Sequence, residues 1–311
     1  MIFEGRHIAK QNNYKRPKQL QGQGTLKYSA MSFPPLHIVG PQPGRSHTHT
    51  IILLHGRSST ASEFASDLLS LKSADHSSTL LSYFPSVRWV FPDAGEKWCT
   101  AFQDMRSAWF DTVSLQDLTE RQNLQLPGLT AGIKHVQEIV EEEVDRLDGN
   151  PSKVFLGGFS QGSAVSLWSL FTGAATSTGR LGGFVGLSAW IPFIEEVTET
   201  VATNITREPL KGKAEDLKGK LLGIVGMERH RIGSGPAQLS GMPVFLGHGV
   251  DDVLVSVQNC HKLSTIIRGI GYDVEAHEYA GAEREGHWVK EPEQICDLVD
   301  FLRKHIQEEE K

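Results

Sequence analysis

The sequence predicts a layered α/β fold built on a mostly parallel central sheet. Three observations carry this. Short apolar runs, among them Ile51-Ile52-Leu53-Leu54, Val154-Phe155-Leu156 and Phe184-Val185-Gly186-Leu187, recur along the chain. They are continuously apolar rather than alternating, as strands covered on both faces are. Stretches with apolar residues at helical spacing lie between them. At 311 residues the chain can enclose a sizeable core, and residues 31–311 read as one domain.

Residues 1–30 carry Arg6, Lys10, Lys15, Arg16, Lys18 and Lys27 against the single acid Glu4 and show little apolar periodicity. They read as a disordered basic extension, with Met31 as an alternative start. Pro34, Pro35, Pro41, Pro43 and Gly44 make a stiff leading loop before His49–Leu54, a central strand that ends in His55-Gly56-Arg57-Ser58. Thr60 and Glu63 stand at capping-box spacing, so a helix through Phe64, Leu68, Leu69 and Leu71 follows directly. Val87, Trp89, Val90 and Phe91 give the next strand, closed by Pro92-Asp93-Ala94-Gly95, and Trp98 to Asp111 reads as a long aromatic-rich loop. Ile133, Val136, Ile139, Val140, Val144 and Leu147, with Glu141, Glu142, Glu143 and Asp145 between them, form an amphipathic helix.

Val154–Leu156 is a buried strand, and Ala164, Val165, Leu167, Trp168, Leu170 and Phe171 make a helix buried around most of its circumference. Another short strand covers Phe184 to Ser188. From about residue 195 to 240 the rhythm breaks into a stretch rich in Glu, Thr, Lys and Gly, an insertion that reads either as a cap or lid or as a mobile surface loop. Met242–Gly249 restores the strand pattern, Tyr272–Tyr279 alternates as a strand nearer an edge does, and Pro292–Ile306 closes with a helix. There is no internal repeat and no dinucleotide-binding glycine fingerprint.

Composition narrows the function. Lys and Arg number 31 against 37 Asp and Glu, a net charge of −6, which argues against a nucleic-acid or anionic-membrane surface. The three cysteines, Cys99, Cys260 and Cys296, are widely spaced and form no Cys-x-x-Cys pair, so neither a disulfide framework nor a zinc site is indicated and a cytoplasmic location is expected. No run of about 18 apolar residues exists, and the first 30 residues lack the apolar centre of a secretory signal. The sequon Asn204-Ile205-Thr206 reads as a chance match.

The chemistry gathers at Gly157-Gly158-Phe159-Ser160-Gln161-Gly162, between a strand and a helix. Its Gly-x-Ser-x-Gly pattern lets the two backbones approach closely and forces Ser160 onto a strained, exposed turn, as a nucleophile requires. The backbone N–H of Gln161, at the helix N-terminus, faces the position where negative charge develops. A serine hydroxyl needs a base, and the base a carboxylate. Asp251 and Asp252 follow the His248-Gly249 turn at the end of a strand, and either could orient a histidine. Of thirteen histidines, His287 is the best base, on a loop after the last strand. His277, mid-strand between Glu275 and Tyr279, is its competitor, while His55 and His248 read as turn histidines bonded to nearby backbone. The order Ser160, Asp252, His287 is that of the α/β-hydrolase fold.

These stretches resemble the phospholipase/carboxylesterase family that includes the acyl-protein thioesterases. The resemblance rests on Leu54-His55-Gly56, Trp109-Phe110-Asp111, Gly158–Gly162, Leu187-Ser188-Ala189-Trp190-Ile191-Pro192, His248-Gly249 with Asp252, and Gly286-His287, together spanning about residues 48–305. It implies an α/β-hydrolase fold with Ser160 as nucleophile, His287 as base and Asp252, rather than Asp251, as acid. It also implies an oxyanion hole from the backbone N–H groups of Arg57 and Gln161. The family's thioesterases usually continue His-Gly with Leu-Gly-Asp-Thr-Gly, where this chain has Arg57-Ser58-Ser59-Thr60-Ala61, and surround the acid with Asp-Pro-Leu-Val-Pro, where it has Asp252-Val253-Leu254-Val255-Ser256. These regions shape the acyl pocket, so the reaction type carries over better than the substrate.

The reading is a serine hydrolase that cleaves carboxylic esters or thioesters through an acyl-enzyme and needs neither metal nor organic cofactor. Its partner is an acylated small molecule, lipid or S-acylated protein. The alternatives are an acyltransferase on the same triad and a non-catalytic binding protein of the same fold.

Overall fold

The computed structural model describes residues 32–114, 117, 119–203, 210–228 and 241–306. The chain divides into a short unit, Met1–Ser32, of which Ser32 alone is described, and a large one, Phe33–Lys311, that carries every element below. The basic extension at 1–30 and the sequon at 204–206 therefore lie outside the described residues.

Seven strands form the main sheet in the order β1 (His37–Val39), β3 (Val87–Phe91), β2 (His49–Leu54), β6 (Val154–Phe159), β7 (Gly183–Leu187), β8 (Pro243–Gly249) and β9 (Asp273–Tyr279). Every neighbouring pair is parallel except β1 with β3. The side-chain period of two explains why the strands read as continuous apolar runs. Ile52 and Leu54 of β2 and Val154 and Leu156 of β6 enter one core with Ile133, Val136 and Leu167. Ile51, Leu53 and Phe155 face the opposite core with Phe64, Leu68 and Phe301. One face thus carries α3 (Leu126–Arg146), α4 (Gln161–Phe171) and α7 (Gln258–Gly269), the other α1 (Ala61–Ser70) and α8 (Glu293–His305). A short helix, α2 (Leu80–Tyr83), buries Leu80 on the α8 side.

The local signals behind these elements are visible. Thr60 Oγ1 accepts from Glu63 N while Glu63 Oε2 accepts from Thr60 N, the capping box that starts α1. The strand β9 lies at the sheet edge, as its alternation predicts.

Four expectations need correction. The leading loop contains β1, whose three residues pair with β3 only because that edge is free. The segment from Trp98 to Asp111 is not all loop: β4 (Glu96–Cys99) and β5 (Asp104–Ser107) pair as a separate antiparallel hairpin. Its sequence gives no apolar run, because the hairpin is largely exposed. The stretch after 195 contains α5 (Ile194–Thr203) and α6 (Leu210–Val225), and Val197, Val201, Leu217 and Leu221 are buried in the first core. Its described part is therefore packed helix, while residues 204–209 and 229–240 lie outside the described residues. Finally, Glu143 does not sit on the polar face of α3. It is buried, accepts from Thr50 Oγ1 at 3.0 Å and pairs with Arg88 Nε at 3.0 Å.

Candidate active site

Four of the loops that follow parallel strands carry the residues singled out above: those after β2, β6, β8 and β9. All lie at the carboxyl ends of the strands, the edge where open α/β sheets place their sites.

The turn after β6 holds Ser160 at φ 51° and ψ −117°, a left-handed conformation that costs a non-glycine residue about 1–3 kcal/mol. The surroundings enforce it. Ser160 N donates to Leu187 O at 2.9 Å, and Ser160 O accepts from Ala164 N at 3.2 Å and Ser163 Oγ at 2.7 Å. A Cβ on Gly162 would stand 2.2 Å from Leu54 O, and one on Gly158 2.7 Å from the Gly162 carbonyl carbon. These two glycines let α4 start directly against β2 and β6.

After β8, Asp252 is tied down at both carboxylate oxygens. Oδ1 accepts from Leu254 N at 2.9 Å and Val255 N at 2.8 Å, and Oδ2 lies 2.7 Å from His287 Nδ1. Burial disfavours the Asp252 charge, but the hydrogen bonds from His248 and His287 and from the Val255 amide outweigh it and hold the carboxyl well below the usual carboxylate range. The carboxylate therefore only accepts, so His287 Nδ1 carries the proton and Nε2 is the ring's acceptor. Asp251 points elsewhere: its Oδ2 accepts from Gly281 N at 2.9 Å. The two acids that spacing alone left level, and of which the resemblance implies Asp252, are thus separated by direction.

The loop after β9 places His287 through Gly286, at φ 80°, and a bond from His287 N to Arg284 O at 3.0 Å. The His287 ring lies 4.9 Å from the ring of Phe159, the residue before Ser160. No hydrogen bond joins Ser160 Oγ to His287 in this structure. His277 is remote from this group: it stacks on Phe245 at 5.3 Å, with Nδ1 3.4 Å from Asp297 Oδ2.

The loop after β2 brings Gly56 against the elbow, where a Cβ on Gly56 would stand 3.5 Å from Ser160 Cβ. His55 is buried and structural, its Nδ1 2.8 Å from Gly56 O and its Nε2 accepting from Ala94 N at 3.0 Å. Neither the Arg57 amide nor the Gln161 amide donates to an acceptor among the described residues.

Three contacts had no signal in the sequence. The Gln161 side chain accepts from Trp109 N at 2.8 Å and donates to Phe110 O at 2.7 Å, clamping the Trp-Phe-Asp segment to the elbow. Arg57 Nη1 donates to Thr112 Oγ1 at 2.9 Å. His248, besides donating from Nε2 to Val255 O at 2.7 Å, lies 3.3 Å from Asp252 Oδ2. Each joins residues far apart in the chain or contacts a neighbour whose orientation spacing does not give.

Among the described residues no group of three or more His, Cys, Asp or Glu side chains is gathered to hold a metal ion, and no helix is long and apolar enough to cross a membrane.

Comparison with known proteins agrees with this architecture. A family model described as Phospholipase/Carboxylesterase matches residues 38–210. Acyl-protein thioesterase 1 of Gibberella zeae is 25% identical over 264 residues, covering 84% of this chain and 92% of that protein. The protein of the same name from Cryptococcus neoformans is 27% identical over 233 residues, covering 74% and 77%. In fold, the chain is similar to the crystal structure of Zea mays acyl-protein thioesterase 2, with a TM-score of 0.58 at 22% identity, covering 88% of this chain and all of that one.

Proposed function

The chain belongs to the phospholipase/carboxylesterase family, and on that premise we propose that it is a serine hydrolase acting on carboxylic esters or thioesters through Ser160, His287 and Asp252. The observation that carries the reading is the 2.7 Å contact between His287 Nδ1 and Asp252 Oδ2, beside a serine held in a strained turn at the same sheet edge.

The mechanism follows from the protonation states. His287 Nε2 takes the proton of Ser160 Oγ as the oxygen attacks the acyl carbonyl, and Asp252 stabilises the imidazolium that forms. The tetrahedral oxyanion is bound by the Arg57 and Gln161 amides, which donate to no acceptor among the described residues. Losing one such donor typically costs about 10²–10³ in turnover. His287 returns the proton to the departing alcohol or thiol, the bond from carbonyl carbon to oxygen or sulfur breaks, and water repeats the cycle on the acyl-enzyme. The serine–histidine bond that the free protein lacks is one that commonly tightens only with substrate bound. Thioesters belong to the substrate class because the relatives are named acyl-protein thioesterases.

Intact-mass analysis after incubation with a fluorophosphonate tests this. A single adduct is expected on the native chain and on His277→Ala, with none on Ser160→Ala or His287→Ala. An adduct that survives in Ser160→Ala, or no adduct on the native chain, rejects the reading.

A further inference from the structure

Arg57, on the loop after β2, and Arg106, on β5, both approach the ring of Phe102. The Arg106 guanidinium carbon lies 4.2 Å from the Phe102 ring centre and that of Arg57 5.2 Å from it. Two cations on one ring repel each other, and in this protein guanidinium groups elsewhere meet carboxylates: Arg88 pairs with Glu143 at 3.0 Å and Arg284 with Asp67 at 2.5 Å. Among the described residues no carboxylate stands within ion-pair distance of Arg57 or Arg106.

Their hydrogen-bonding capacity is likewise unfilled. A guanidinium has five N–H donors. Among the described residues Arg57 uses one, to Thr112 Oγ1, and Arg106 Nη1 reaches Ser58 Oγ only at 3.5 Å, while Arg106 Nε is buried with no partner. Burial and the neighbouring Arg106 charge push the Arg57 pKa down, which an anion between the two would relieve.

The hairpin that carries Arg106 is also tied to the loop that carries Arg57 and meets the elbow. Ser58 N donates to Ser107 O at 2.8 Å, joining the β4–β5 hairpin to the loop after β2. That loop meets Ser160 through Gly56. Thr100 N and Oγ1 both donate to Asp111, at 2.7 and 2.5 Å, so the hairpin's turn is anchored to the Trp-Phe-Asp segment as well.

We propose that Arg57 and Arg106 form a subsite for an anionic group of the substrate, a carboxylate or a phosphate close to the scissile carbonyl. The proposal rests on the Ser160 hydrolase reading and adds a substrate class to it. Planar guanidinium forks suit either oxyanion, since both accept paired N–H donors.

The test compares kcat/KM for two esters of equal acyl length, the 4-nitrophenyl ester of glutaric acid with its second carboxyl free and the same ester with that carboxyl methylated. A third ester, ending in a phosphonate, separates carboxylate from phosphate recognition. The native chain is expected to favour an anionic ester by about tenfold or more, the range of a hydrogen-bonded charged contact. The preference should fall towards one in Arg106→Gln and in Arg57→Gln, remain in part in Arg106→Lys, and shrink for the native chain as salt is raised. A merely structural pair would instead change both esters together and leave their ratio alone.

Labelling by a fluorophosphonate reports that each variant retains its folded site. An adduct without a native preference for either anion, or a preference that both substitutions leave intact, overturns the subsite alone. Absence of both turnover and adduct overturns the hydrolase reading and the subsite with it.

Discussion

The Asp252–His287 pair and the β4–β5 hairpin are built in opposite ways. Around Asp252 both carboxylate oxygens are occupied by partners within the chain, two backbone amides on Oδ1 and two imidazoles against Oδ2. On the hairpin, Trp98 is 53% exposed, Met105 49% and Phe102, in the turn, 39%, while Arg106 Nε has no partner among the described residues. On the proposed mechanism, the groups that must hold one protonation state and one orientation are thus satisfied by the fold itself, whereas the proposed anion subsite keeps donors and apolar surface open.

The largest test of this contrast is Asp252→Asn. It preserves shape but removes the acceptor that fixes the His287 tautomer, and kcat should fall by about 10³–10⁴, read with a 4-nitrophenyl ester. The same variant probes the charge. Because the folded protein holds Asp252 below the ordinary range, its carboxylate stabilises the fold above the unfolded pKa of about 4, and that stability is lost as pH falls into the acid range. Denaturant unfolding should show the native chain exceeding Asp252→Asn at pH 7, with the difference closing in strong acid. A difference that instead widened on acidification would reject the assigned direction.

Next in size is Gly162→Ala. Its Cβ would meet Leu54 O at 2.2 Å, and backbone on both sides leaves no flexible group to yield. A stability loss of about 1–3 kcal/mol or more is expected by denaturant unfolding, and an unchanged midpoint would mean the elbow is looser than its contacts. The smallest effect belongs to the hairpin. Trp98→Ser should shift stability by no more than about 0.5 kcal/mol, and a larger loss would show that the hairpin's exposed apolar surface supports the fold after all.

Much of the molecule is legible in the sequence because the information is local. Strands β2, β6, β7 and β8 are buried along their whole length and mostly apolar, since both sheet faces are covered. The Gly-x-Ser-x-Gly turn declares itself because close backbone approach admits no other residue at its glycines. The box that starts α1 lies within four residues. Where such local pressure is weak the reading fails: β1 takes its order from an edge of β3, β4 and β5 carry no apolar run and are largely exposed, and α5 and α6 hide their buried face among Glu, Thr and Lys.

The sequence by itself therefore determined the alternation of buried strands and helices behind the layered sheet, and the serine's turn, since each depends on residues close together. Chain spacing alone did not separate two adjacent aspartates, and only the tertiary structure shows Asp252 meeting a histidine 35 residues further on and which two arginines share a ring. Adjacent side chains differ in direction, not in spacing. Direction is set by the turns that follow β2, β8 and β9 once the sheet has brought them to one edge.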